Sequence, residues 1–182
     1  MSKVLKTIDF ELTPSSINSA IRELKRFQEM FVQSMSELIQ RLAEEGAQVA
    51  RIQVASMDAV DTGQLEGSIY GYYDPQSRIG YVIAGAAHAF YVEYGTGSVG
   101  MANPHPEASA AGWQYMIGEH IKLGPGGMGW WYDKSTDGDD TFEGDGQYHW
   151  TLGQPARPFM FNTLQWLEEA AAAIAETVWS QM

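Results

Sequence analysis

The chain has 182 residues, of which 45% are hydrophobic, with no cysteine and a formal net charge of −12. That length is enough for one domain with a buried core, and the missing thiols exclude a disulfide framework, a thiolate nucleophile and a cysteine metal site. With 11 basic against 23 acidic residues, a surface that grips nucleic acid by its phosphates is disfavoured, although a passage through which DNA slides would gain from not sticking.

No stretch approaches the length of a transmembrane helix, and the opening residues lack the apolar core of a secretory signal. The expectation is a protein used away from membranes and oxidising compartments. Residues 1–12 read as a short strand or arm. Thr13 and Pro14 then supply an N-cap and a first-turn proline. Apolar residues follow at Ile17, Ile21, Leu24, Phe27, Phe31, Met35, Leu38, Leu42, Val49 and Ile52. Steps of three and four sustained this far predict one very long amphipathic helix, or two joined near Gly46. A single domain of this size rarely needs such a helix, so part of it is expected to serve an assembly contact.

Asp61 to Gly63 ends the helix. A β-hairpin is predicted from Ser68 to Tyr73 and Ile79 to Ala84 across the turn Asp74-Pro75-Gln76-Ser77. The central run Ala87 to Gly97, AHAFYVEYGTG, is short enough to be helix or strand. Residues 98–129 are loop-like, with a short helix expected from Trp113 to Ile121. A second hairpin pairs Gly129 to Tyr132 with Gln147 to Thr151, around an acidic Gly-rich tip. A final helix runs from about Met160 to Met182, with Phe161, Leu164, Leu167, Ala171, Ile174 and Val178 on one stripe. The fold class is therefore α+β: long N- and C-terminal helices packed on a small antiparallel sheet, in a single domain, with residues 98–150 as a variable loop-rich insertion.

Three punctuated corners stand out: Asp61 to Ile69 (DTGQLEGSI), the central run, and Gly153 to Phe159 (GQPARPF). Glu93 is a lone carboxylate among Phe90, Tyr91 and Tyr94, and burying it requires hydrogen-bond partners. Gly95, Thr96 and Gly97 offer a turn and a hydroxyl as those partners, with Arg157 as a further candidate. Otherwise Glu93 lies on the wet side of an amphipathic segment. The tripeptide Asp61-Thr62-Gly63 spells the aspartic-protease signature, but it follows a fraying helix and has no second copy, so a turn cap is the simpler reading. The tip carries Asp133, Ser135, Asp137 and Gly138 at calcium-loop spacing, yet the twelfth position is Gly144, which supplies no carboxylate, so a solvated loop is the better reading. His88, His105, His120 and His149 show no ligand spacing. No catalytic residue, metal ligand or cofactor site emerges, and none is expected.

The three corners in this order resemble one viral family. Thr62, Gly63, Leu65, Ser68 and Ile69, then Ala89, Tyr91, Val92, Glu93, Tyr94, Gly95 and Thr96, then Pro155, Ala156, Arg157, Pro158 and Phe159 match T-G-x-L-x-x-S-I, A-x-Y-V-E-Y-G-T and P-A-R-P-F. The chain resembles the tail-completion or head–tail connector proteins of long-tailed double-stranded-DNA bacteriophages, the gene-product-ten-like family of lambda-like phages. The resemblance implies a virion structural protein without enzymatic activity at the neck or tail, assembled in the bacterial host cytoplasm. Its implied partners are copies of itself in a ring, with a hexamer expected, and other neck and tail proteins. DNA would pass through without specific binding, and no membrane is involved. The matching residues are carried over as fold-defining positions. A competing reading takes the Trp-rich hairpin as a carbohydrate- or surface-recognition module, and a third, an aspartic-type hydrolase, rests on Asp61 alone.

Overall fold

The structure, a computed structural model, describes residue 8, residue 10, residues 11–57, residue 59, residues 63–133 and residues 148–180. Asp61, Thr62 and the acidic tip at 134–147 lie outside the described residues, as does most of the N-terminal arm. The fold is α+β, with two long helices, three short ones and small antiparallel sheets. No helix among the described residues is long and apolar enough to cross a membrane.

Helix α1 is a single helix of 43 residues, Pro14–Ser56. Its start follows the sequence signal. The Thr13 carbonyl accepts the first helical bond from Ile17 N–H at 3.0 Å, and the Thr13 hydroxyl accepts from Ser16 N–H at 3.3 Å. Gly46 does not break the helix. A Cβ there would lie 2.8 Å from Val82 Cγ2 and 3.0 Å from Leu167 Cδ1, so the glycine serves close packing rather than a joint.

The described chain divides into two compact units. The first comprises Met1–Val49, Tyr70–Ile83 and Leu164–Met182. Leu38 of α1 packs here with Ile174, Ala175 and Val178 of α5 (Phe159–Trp179), and Leu42, Trp166 and Ala170 close around them. The predicted hairpin is present as β1 (Ile69–Asp74) and β2 (Ile79–Ala84). Its turn is built by Asp74, whose carboxylate accepts from Gln76 N–H at 2.9 Å and the Ser77 hydroxyl at 2.6 Å.

The second unit comprises Ala50–Ile69 and Ala84–Thr163. It holds α2 (Gln64–Gly67), α3 (Ala89–Tyr94), α4 (Gly97–Ala102), β3 (Lys122–Gly124), β4 (Gly127–Asp133), β5 (Tyr148–Thr151) and β6 (Gly153–Gln154). The central run left open between helix and strand is helical. The second hairpin forms as expected, pairing Trp130 with Thr151 and Trp131 with Trp150, and β3 adds a third strand. The helix expected from Trp113 to Ile121 is absent, and that stretch is turns and bends. Gly112 precedes it at φ 66° and Gly118 interrupts it at φ 113°, and the side chains of Trp113 and Tyr115 are drawn into long-range contacts instead.

Candidate functional site

The central run is where the chain closes. In α3 the spacing i, i+3, i+4 puts Ala89, Val92 and Glu93 on the buried face, while Phe90 and Tyr91 point out, 67% and 53% exposed. Two aromatics thus face solvent while the acid faces inward beside Ala89 and Val92, at 7% exposure. A buried carboxylate needs donors, and Glu93 has three. Its Oε2 accepts from Met160 N–H at 2.9 Å, and its Oε1 accepts from Phe161 N–H at 2.9 Å and lies 3.0 Å from His105 Nε2.

These partners correct the sequence expectation. The donors are neither the Gly95–Gly97 turn nor Arg157, but the first turn of α5 and a histidine from the insertion. That first turn is fully accounted for. Pro158 has no N–H, Phe159 N–H donates to Arg157 O at 2.8 Å, and the next two amides reach Glu93. Glu93 therefore caps α5 from a different helix, with its negative charge at the positive end of the helix dipole. His105 Nδ1 accepts from Glu107 N–H at 2.9 Å, which places the ring proton on Nε2, where it donates to Glu93.

Aromatic rings close around this pair. Tyr94 lies 4.3 Å from His105 and stacks on Trp113 at 5.0 Å, and Phe161 meets His105 edge-on at 5.4 Å. Trp113 Nε1 donates to Gly95 O at 3.0 Å, and the Tyr115 hydroxyl accepts from His105 N–H at 3.1 Å. The sequence reading did not place His105, Trp113 or Tyr115 at this site. The run Asn103-Pro104-His105-Pro106 was the available signal, since prolines on both sides restrict the backbone that presents the ring.

The second and third corners meet directly. Thr96 and Gly97 pair antiparallel with Gln154 and Gly153, and the Thr96 hydroxyl accepts from Gln154 N–H at 3.3 Å. Gly95 sits at φ 76° and ψ 169°, and a Cβ on it would lie 2.5 Å from Ala156 N and 2.8 Å from the Pro155 carbonyl carbon. Glycine is required there both for conformation and for space. The backbone of Arg157 donates to Val92 O at 2.9 Å, and that of Ala156 donates to Asn103 O at 3.2 Å, satisfying carbonyls at the ends of α3 and α4. The Arg157 guanidinium forks between Met57 O at 3.1 Å and Gln154 Oε1 at 2.9 Å. Phe159, 1% exposed, anchors the corner.

The first corner makes its own closure. Gly63 is left-handed at φ 78°, and Leu65 and Ile69 are buried. The Ser68 hydroxyl donates to Leu65 O at 2.7 Å and accepts from Ala86 N–H at 3.0 Å. Arg51 Nε donates to Ile69 O at 3.1 Å. Thr62, placed with these by sequence, lies outside the described residues.

Every polar atom of the Glu93–His105 pair is turned to a protein partner, so the arrangement holds the fold together. Among the described residues no three His, Asp or Glu side chains gather to hold a metal ion. The other unusual surface belongs to α1. Every residue from Ile21 to Gln33 is exposed, including Leu24 at 56% and Phe31 at 46%, and packing begins at Ser34. Comparison with known proteins finds no matching family model, no matching curated protein and no matching solved structure.

Proposed function

We propose that this protein is a virion structural component, a head–tail connector or tail-completion protein that forms a ring around the DNA path of a phage or prophage neck or tail. The observation that carries this reading is the exposed apolar stripe on the first half of α1. A helix turn that packs on nothing among the described residues gains no tertiary stability from them, so its apolar face implies an assembled state. The order of the three corners supports the same reading through the family resemblance. Closed cyclic symmetry is the usual arrangement for like subunits, and a hexamer is the expected copy number. The protein acts without catalysing a reaction, meets other neck and tail proteins, and lets DNA pass without specific binding, in keeping with its net charge of −12. It would be assembled in the bacterial host cytoplasm.

Native mass spectrometry and electron microscopy of the concentrated protein, or of particles that contain it, test this. A discrete cyclic ring is expected, and a single copy per particle or an isolated twofold dimer would refute it. The alternative, a carbohydrate- or surface-recognition module, rests on Trp131 of β4, which is 45% exposed. A monomer that binds glycans and loses that binding in Trp131→Ala would favour it.

A further inference from the structure

We propose that residues 14–33, the exposed first part of α1, form an exchange arm that docks on the acidic body of a neighbouring copy of this chain. The inference deepens the ring reading, on which it rests for the expectation that several copies meet. Placed at 3.6 residues per turn, Ile17, Ile21, Leu24, Phe27, Phe31 and Val32 fall within an arc of about 140°. A two-stranded coiled-coil seam is narrower than this. These six side chains are between 38% and 56% exposed. Their exposed fractions amount to roughly 550 Å² of apolar surface, about two thirds of the ~800 Å² that each partner buries in a stable interface. Flanking polar residues would supply the rest.

Charge selects the occupant. The arm carries Arg22, Lys25 and Arg26 against Glu23 and Glu29, a net +1, so in a chain of net −12 the remaining residues carry −13. Arm against arm would bring groups of the same net sign together, whereas arm against body brings opposite signs together and steers the encounter. An arm on one face and a receiving surface elsewhere make a heterologous contact, the kind that repeats around a ring. The basic residues lie on the opposite side of the helix from the stripe, or at its border. Lys25, at the border, would sit at the rim of the contact while the apolar arc forms its centre, and Arg22 and Arg26 on the far side would add attraction at longer range.

The test uses the full chain at raised concentration, with sedimentation velocity and native mass spectrometry as readouts. Wild type should assemble, and L24E combined with F31E should be monomeric with unchanged far-UV circular dichroism, since both positions are exposed. Reversing these charges with R22E, K25E and R26E should weaken association at least tenfold, and raised salt should weaken wild type in the same direction. Carbodiimide coupling of mixed light- and heavy-isotope protein should join Lys25 to carboxylates outside residues 14–33 of another copy. Coupling only to Glu23 or Glu29 of another copy would overturn the proposal in favour of an arm bundle, and so would charge reversal that leaves assembly unchanged or strengthens it. A ring that survives L24E with F31E would overturn the arm and leave the ring standing. A closed twofold dimer abolished by those substitutions would uphold arm docking and overturn the ring. A wild type that stays monomeric under all these conditions would overturn both.

Discussion

Replacing Glu93 with alanine removes one acceptor group from three donors: Met160 N–H, Phe161 N–H and His105 Nε2–H. A buried donor left unsatisfied costs about 1–3 kcal/mol. Two of the three lie in the first turn of α5, where losing a carboxylate also forfeits about 0.3–1 kcal/mol of dipole interaction. Water entering the vacated space recovers part of this, so the expected loss is about 3–5 kcal/mol. Glu93→Gln separates the effects. Its amide oxygen can replace Oε1 and serve Phe161 and His105, while its NH₂ then faces Met160 N–H across the 2.9 Å contact. One donor–donor clash and a lost charge should cost about 1–3 kcal/mol, clearly less than alanine. His105→Ala in the two backgrounds completes a double-mutant cycle with a coupling of about 0.5–3 kcal/mol. Urea unfolding followed by circular dichroism reads all of these, provided the slope of free energy on denaturant is unchanged. A Glu93→Ala protein within about 1 kcal/mol of wild type, or a Gln variant less stable than the Ala variant, would refute the capping argument.

Gly95→Ala should destabilise by at least about 2–3 kcal/mol, because the new Cβ meets backbone and the φ,ψ pair is one that only glycine holds comfortably. Thermal melting checks it, and an unchanged midpoint would contradict the close approach to Ala156. Arg157→Lys keeps the charge but cannot reach both Met57 O and Gln154 Oε1 from a fork, so a loss of about 1 kcal/mol is expected in the same assay. The Asp74 carboxyl is held below its ordinary value, first by the Ser77 hydroxyl and then by the Gln76 amide. A depressed folded value means that Asp74 stabilises above the ordinary carboxylate range and that this contribution fades as pH falls through the folded value. The stability gap between wild type and Asp74→Asn should therefore shrink on acidification, and a gap that widens would reverse the assignment.

What could be read from the sequence was local. Thr13 and Pro14 start α1 where their chemistry says, Asp74 to Ser77 turn the hairpin, and the predicted stripe of α5 is buried at Ile174 and Val178, although near its start Thr163 rather than Leu164 turns inward. Each of these signals lies within a few residues of its effect. Two of the partners of Glu93 lie 67 and 68 residues downstream, and no short-range pattern marks them. The helical state of Ala89–Tyr94 was hidden for a related reason. Six residues are too few for propensity to decide, and the buried face is chosen by what α5 and His105 offer it. The same demand prevents a helix over Trp113 to Ile121, since Trp113 and Tyr115 are committed to Gly95 and His105. The insertion read as variable and loop-like, yet its first part supplies three of the groups around Glu93.

The distance between Glu93 and its donors also orders events during synthesis. When residue 93 leaves the ribosome, the first turn of α5 has not been made, and its carboxylate is an ordinary hydrated anion. It gives up that water only after Pro158 has been added and the next amides are aligned, closing a loop of more than sixty residues for which the chain must give up entropy at once. Until then α3 has no reason to turn its acid inward, and a nascent chain stalled short of Phe161 would carry Tyr94 and Trp113 without the enclosure that orders them. The carboxylate thus acts as a timing device: the second unit can lock only when translation has passed the start of the last helix.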